Sequence, residues 1–209
     1  NNSVTGIKIE GGSNTNLHEN IFENNTQYGV HAENTNGFTS TKDTVTGSSH
    51  GFAIDDSTGS ISVTNSAFNA NTSGLTLKNT NDVSVLNSTF FNNTLTGITA
   101  LNSDNLVVTG GAVCANGTGI FLDENSDNAT VNGTFFDRNT IGVHAYGGEN
   151  IEVKNSQFYK NGTGVKFSGG TEGQITNTLF TNNTTGIHIQ DSTAELTGNT
   201  INGGTTGLL

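Results

Sequence analysis

Proline, methionine and tryptophan are absent from this 209-residue chain, and cysteine and arginine occur once each. A lone Cys114 excludes an internal disulfide and, with no His or second Cys near it in sequence, reads as an inert thiol. No run approaches the roughly 18–20 apolar residues that a membrane-spanning helix requires, which excludes membrane insertion. Basic residues are scarce: 7 Lys and Arg stand against 18 Asp and Glu, a net charge of −11. That balance opposes nucleic acid and anionic membranes as partners. No initiator Met and no signal-like segment open the chain, so the expectation is a processed chain or an excerpt of a longer one. With 12% charged and 31% hydrophobic residues the composition leans toward disorder, but the apolar residues are too regularly placed for that.

What the chain has instead is a repeat. Gly–apolar–any–apolar recurs at Gly6, Gly29, Gly51, Gly74, Gly97, Gly119, Gly142, Gly164 and Gly186, and begins again at Gly207. The steps are 23, 22, 23, 23, 22, 23, 22, 22 and 21 residues, a constancy that leaves one domain over residues 1–209. A second signature follows each Gly: an apolar residue, then usually Phe five positions on, then Asn three further on. Val63/Phe68/Asn71, Val85/Phe90/Asn93 and Val131/Phe136/Asn139 show it, with Leu17/Phe22/Asn25 at the start. Short alternating runs bounded by Gly, Asn, Ser and Thr predict strands and turns, and no segment carries capped helical periodicity.

Three short strands per repeat, each stacked on its counterpart one repeat away, make an all-β, single-stranded parallel β-helix of about nine rungs. A leucine-rich horseshoe has a similar period, but the chain lacks that Leu consensus. Stacking at about 4.7–4.9 Å turns each repeated position into a ladder. Phe22, Phe68, Phe90, Phe136, Phe158 and Phe180 are expected to stack inside, and the Asn25–Asn183 series to form a polar ladder of side-chain amides. Neither end carries a capping element, which predicts either flanking chain or end-to-end self-association into a filament.

The outward positions of the strand after each Gly can be read column by column. Lys8, Glu10, His31, Glu33, Asp55, Asp56 and Lys78 concentrate ionisable groups on the first four rungs. Adjacent rungs bring Glu33 and Asp55 within ~5 Å, backbone to backbone. Carboxylates so placed beside a His suit acid–base chemistry, although a solvated polar face has the same composition. No metal or other cofactor is expected. His144 and His188 lie two rungs apart, about 9.6 Å, too far to share one ion. Asp55-Asp56 lacks a recognisable calcium loop. Asn-x-Ser/Thr sequons are frequent, but those at Asn71, Asn116, Asn161 and Asn183 fall in the predicted interior ladder, where no glycan fits. Mixed outward columns exclude a regular ice-binding threonine face.

Tyr28-Gly29-Val30-His31-Ala32-Glu33, followed one rung later by Gly51-Phe52-Ala53-Ile54-Asp55, resembles the catalytic β-helix of mannuronan (alginate) C-5 epimerases, within the pectate-lyase-like superfamily. In those enzymes the first stretch reads Tyr-Gly-Phe-Asp-Pro-His and the next rung ends in a catalytic Asp. The resemblance implies a right-handed helix and makes Tyr28 and Asp55 the counterparts of the motif Tyr and the later Asp. His31 stands where the family has Asp, Glu33 where it has His, and Thr72-Ser73 replace an Arg-His pair. The family's chemistry removes the sugar C5 proton and returns one to the other face, with a cation neutralising the carboxylate. Only Lys8 and Lys78 offer that cation nearby.

Two functional expectations result. The first is a secreted or cell-surface, non-catalytic β-helix, a matrix or filament protein with weak polysaccharide contact through Lys8, Glu10, Asp56 and Lys78. The second is a polysaccharide-modifying enzyme, a uronan epimerase or lyase, using Tyr28, His31, Glu33 and Asp55.

Overall fold

The computed structural model describes residues 4–209. They form three parallel sheets and no helix. Each repeat contributes one strand to each sheet, and successive repeats pair in register one above the next. The sheets are called here by their signature residues. The glycine sheet has ten strands, from Thr5–Glu10 to Thr206–Leu208. The valine sheet has nine, Ser13–His18 to Thr193–Thr197, and the phenylalanine sheet nine, Ile21–Glu23 to Thr200–Asn202.

Strands this short cannot stand alone; each is held by its neighbours above and below. The chain turns sharply between sheets by placing one residue in the left-handed region, as at Asn79, Asn87 and Asn92 on successive corners, with φ of 50°, 48° and 56°. Asn and Gly tolerate that region best, which accounts for their abundance. The repeat Gly has a different reason. A Cβ on Gly142 would lie 2.5 Å from the Gly164 carbonyl oxygen and 2.7 Å from the Phe158 ring. The ring therefore occupies the space that a side chain at the Gly would need.

The aromatic column is interrupted. Phe68 and Phe90 stack at 4.8 Å, and Phe136, Phe158 and Phe180 stack at 4.5 and 4.9 Å, but Val45 and Val113 break the column into separate groups. Phe52, from the glycine sheet, fills the gap at Val45, with its ring edge-on to Phe22, Phe38 and Phe68.

A second compensation runs along the corner between the glycine and valine sheets. One inward column reads Ala32, Ile54, Leu77, Ala100, Leu122, Ala145, Phe167. Across the corner, rung for rung, stand Phe38, Ile61, Val83, Leu106, Ala129, Ile151 and Gly173. Small faces large at each end of the range: Ala32 with Phe38, Ala145 with Ile151, Phe167 with Gly173. A Cβ on Gly173 would lie 2.8 Å from the Phe167 ring, so the pair shares one volume. No rung pairs two small residues, and Ile54 with Ile61 is the bulkiest pair, so the corner stays filled at interior packing density.

Each corner also carries a polar ladder. Asn71, Asn93, Asn116, Asn139, Asn161 and Asn183 form the predicted amide ladder. Asn93 Nδ2 donates to Asn116 Oδ1 at 2.9 Å and to the Phe68 carbonyl at 3.1 Å, and the pattern repeats upward. Asn25 is buried but is separated from this series by Ser48, whose backbone N–H donates to Asn71 Oδ1. The other two corners use hydroxyls. Ser57, Thr80, Ser103 and Ser126 accept in turn from the backbone N–H one rung below, as do Ser66 and Ser88 on the next corner. Buried Asp43 joins the latter corner, accepting from Asn20 and from Ser40 Oγ at 2.6 Å.

Two predictions follow from these contacts. Asn116→Leu orphans the Asn93 N–H groups and the Phe90 carbonyl, at about 1–3 kcal/mol for each unpaired group. Urea unfolding should therefore show a loss of ~3 kcal/mol or more, whereas Asn125→Leu on the exposed loop should stay within about 0.5 kcal/mol. Ala145→Leu should cost about 1–3 kcal/mol by overpacking and Ile151→Ala about 2–5 kcal/mol by cavity formation. The double variant should lose less than the sum of the two, and simple additivity would refute the shared-volume account.

Candidate functional site

The outer face of the glycine sheet positions the ionisable side chains by register alone. Glu10, Glu33, Asp55 and Lys78 are direct partners on successive strands, as are Lys8, His31, Ala53 and Thr76. A third outward column, immediately before each repeat Gly, pairs Tyr28 with His50. Elsewhere that column is mainly Thr: Thr5, Thr96, Thr118, Thr163, Thr185 and Thr206.

These columns close into a compact cluster. The Tyr28 ring lies between two imidazoles, stacked on His31 at 4.5 Å and on His50 at 5.3 Å. His31 Nε2 is 3.0 Å from Asp55 Oδ2, a partly buried contact. The carboxylate accepts there, so Nε2 carries the proton and Nδ1 is left as the basic nitrogen. His50 Nδ1 lies 3.1 Å from Thr76 Oγ1. Burial pushes the His50 imidazole below its ordinary range, and nearby His31 acts the same way against an opposing pull from Asp55. Ala53, between His31 and Thr76, is small and buried beneath them.

The other sequence-derived positions lie around this cluster. Lys8 is held by Glu10, and the contact keeps the Glu10 carboxyl below the usual carboxylate range. Glu33 shares the Asp55 column. Lys78 is exposed at the column's next step. Asp56 occupies a corner, with φ of 49°, and accepts from Asn79 Nδ2 at 2.7 Å. Farther along the sheet, His144 Nε2 is 3.0 Å from Ser168 Oγ, and Lys166 stands between His144 and His188 in their column. Half-burial raises the Cys114 thiol pKa, opposing thiolate formation.

His50 is the member of the cluster that the column reading missed, because only the positions two and four after each Gly were compared. The signal was present: Tyr28 and His50 are the two aromatic side chains in a column that is otherwise mostly threonine.

The family model for the right-handed β-helix region matches residues 1–68 and 73–209. Among curated protein sequences, no relative matches. Solved structures share the fold. The enzymatically active domain of tailspike protein 2 from bacteriophage CBA120 superposes with a TM-score of 0.69 at 12% identity, over 90% of this chain and 35% of that one. The A-module of mannuronan C-5 epimerase AlgE6 from Azotobacter vinelandii gives 0.58 at 17%, over 96% and 76%. The surface adhesin PfbA of Streptococcus pneumoniae gives 0.56 at 12%, over 86% and 64%. The chain thus spans about a third of the tailspike domain and just under two thirds of the adhesin.

The low His50 pKa has a consequence for stability. Its neutral form contributes fully above about pH 6.5, and the contribution is lost as the pH falls through the folded-state value, because the unfolded chain takes up the proton first. Between about pH 7.5 and 5, the urea midpoint of the unaltered protein should fall further than that of His50→Gln. Equal falls would show that His50 carries no such linkage.

Proposed function

The chain belongs to the right-handed β-helix family, and from that premise we propose that it is an extracellular, non-catalytic surface module whose glycine-sheet face contacts a neutral polysaccharide. The observation that carries this reading is the carboxylate column. Glu10, Glu33 and Asp55 stand on three successive strands, with spacing of about 4.8 Å between them. A uronan presents its own carboxylates to any such face, and like charges at that range repel. Among the described residues, Lys8 is already engaged by Glu10, which leaves Lys78 as the nearest cation of the cluster without an ion pair.

A neutral sugar meets no such penalty. The Tyr28 ring and its flanking imidazoles offer apolar edge surface, and Glu33 and Asp55 offer acceptors for sugar hydroxyls. Similarity to a phage tailspike domain and a surface adhesin is in keeping with a surface role, as is the absence, among the described residues, of a helix long and apolar enough to cross a membrane.

A second reading, a uronan epimerase or lyase, is favoured by the meeting of Tyr28, His31 and Asp55 and by the epimerase-like fold. In that reading His31, oriented by Asp55, takes the C5 proton on Nδ1. Tyr28 then serves as the acid on the other face in epimerisation, and Glu33 lies beside Asp55.

Incubation with polymannuronate in D₂O separates the two. The expected result is no deuterium at C5 by NMR, together with measurable binding of neutral polysaccharides that falls at least tenfold in Tyr28→Ala. Deuterium incorporation abolished by Asp55→Asn would establish the enzymatic reading instead.

A further inference from the structure

We propose a second saccharide-binding groove on the outer face of the valine sheet, remote from the Tyr28 cluster and specific for a neutral oligosaccharide. An open concavity of about 830 Å³ lies there. Its form follows from strand geometry. Glu152, Gln174 and Glu195 are register partners on three successive strands and make one wall. Two residues earlier, Glu172 and Thr193 on their strands and Asn150 on the corner before its strand make the other. Between the rows lie Ile151, which is buried, and Gly173 and Ala194, which are partly exposed. The two rows are about 6.6 Å apart along the strand and the three rungs extend about 10 Å along the axis, so most of the concavity lies above the rows rather than between them.

The corner loops shape one flank. Between the glycine and valine sheets the connection shrinks from residues 123–129 to 147–150, then 169–171, then 191–192. The longer loops carry Asn128 and Asn150 to the edge of the groove, where Asn150 Nδ2 donates to Asn128 Oδ1 at 3.1 Å. The shorter loops leave the adjoining rungs open.

The lining selects the ligand class. No Lys, Arg or His lines the cavity, and Lys154, next along the strand, is paired with Glu152 at 2.6 Å. Uronic, sulfated or phosphorylated sugars would meet Glu172 and Glu195 without a countercharge. Among the described residues, the side chains of Gln174, Glu172 and Glu195 make no hydrogen bond or ion pair. They offer one amide, on Gln174, and two carboxylate acceptors, groups that the ring hydroxyls of a neutral sugar can satisfy. This choice of ligand rests on the reading of the chain as a polysaccharide-contacting protein; the location does not.

The test is backbone amide mapping by NMR with a panel of neutral tetrasaccharides (cellotetraose, maltotetraose, laminaritetraose, mannotetraose, chitotetraose) and tetragalacturonate as the anionic control. At least one neutral member should shift the amides of Glu152, Gln174 and Glu195. Its affinity, read from those amides, should fall at least fivefold in Gln174→Ala/Glu195→Ala. If no neutral member shifts those amides at millimolar concentration, or if tetragalacturonate binds there more tightly, the groove proposal is overturned. Shifts confined to the Tyr28 face would overturn it while leaving the glycine-sheet reading intact, and shifts confined to the groove would do the reverse.

Discussion

Every feature of this molecule depends on the hydrogen bonds that run parallel to the helix axis, from one rung to the next. No strand is longer than seven residues, and none pairs with a sequence neighbour; each finds its partners one repeat away. The same rule holds at the corners, where the backbone leaves the sheets and would otherwise bury unpaired N–H groups. There the Asn amides and the Ser and Thr hydroxyls continue the axial bonding through the turns. Because a buried unpaired group costs more than a formed bond contributes, the ladders act chiefly by excluding unpaired alternatives. A rung out of register would break bonds at all three corners together.

That constraint explains what was legible in the sequence. The glycine period, the alternation after it and the Phe and Asn columns each depend on a single residue type at a single spacing, so they stand out from a chain rich in polar residues. The hydroxyl ladders at Ser57–Ser126 and Ser66–Ser88 do not, because Ser and Thr are equally common on the surface and only burial separates the two uses. The break at Ser48 is likewise invisible to a pattern that passes from Asn25 to Asn71. Tyr28, His31 and Asp55 could be placed on neighbouring rungs from spacing, but their contact depends on ring orientation, and His50 joined them from a column that was not compared. The valine-sheet groove was beyond reach: its walls come from two columns and its flank from loop lengths that differ by rung.

Register that serves the interior has a cost outside. Identical positions stack whether or not their charges agree, so Glu10, Glu33 and Asp55 fall in line because their strands do. The protein moderates this locally through Lys8, His31 and Lys78, each a neighbour of one of those carboxylates. Such a face is poorly matched to a polyanion and well matched to a ligand that presents hydroxyls. Under the proposed reading, the register that aligns these carboxylates also constrains the chemistry of a partner.

The inner columns also bear on where function can reside. Ala32 with Phe38, and Phe167 with Gly173, show that the interior tolerates large differences between rungs where a small residue faces a large one. A rung is then a closed unit, satisfied by its own packing and by axial bonds to its two neighbours. Outward side chains stand outside that interior packing, and substitutions among them leave the buried ladders untouched. Departures from the surface average, such as two aromatic side chains in a threonine column or long polar side chains around a concavity of the valine sheet, are consequently not required by folding. In a solenoid whose interior closes rung by rung, those departures are where a binding partner leaves its mark.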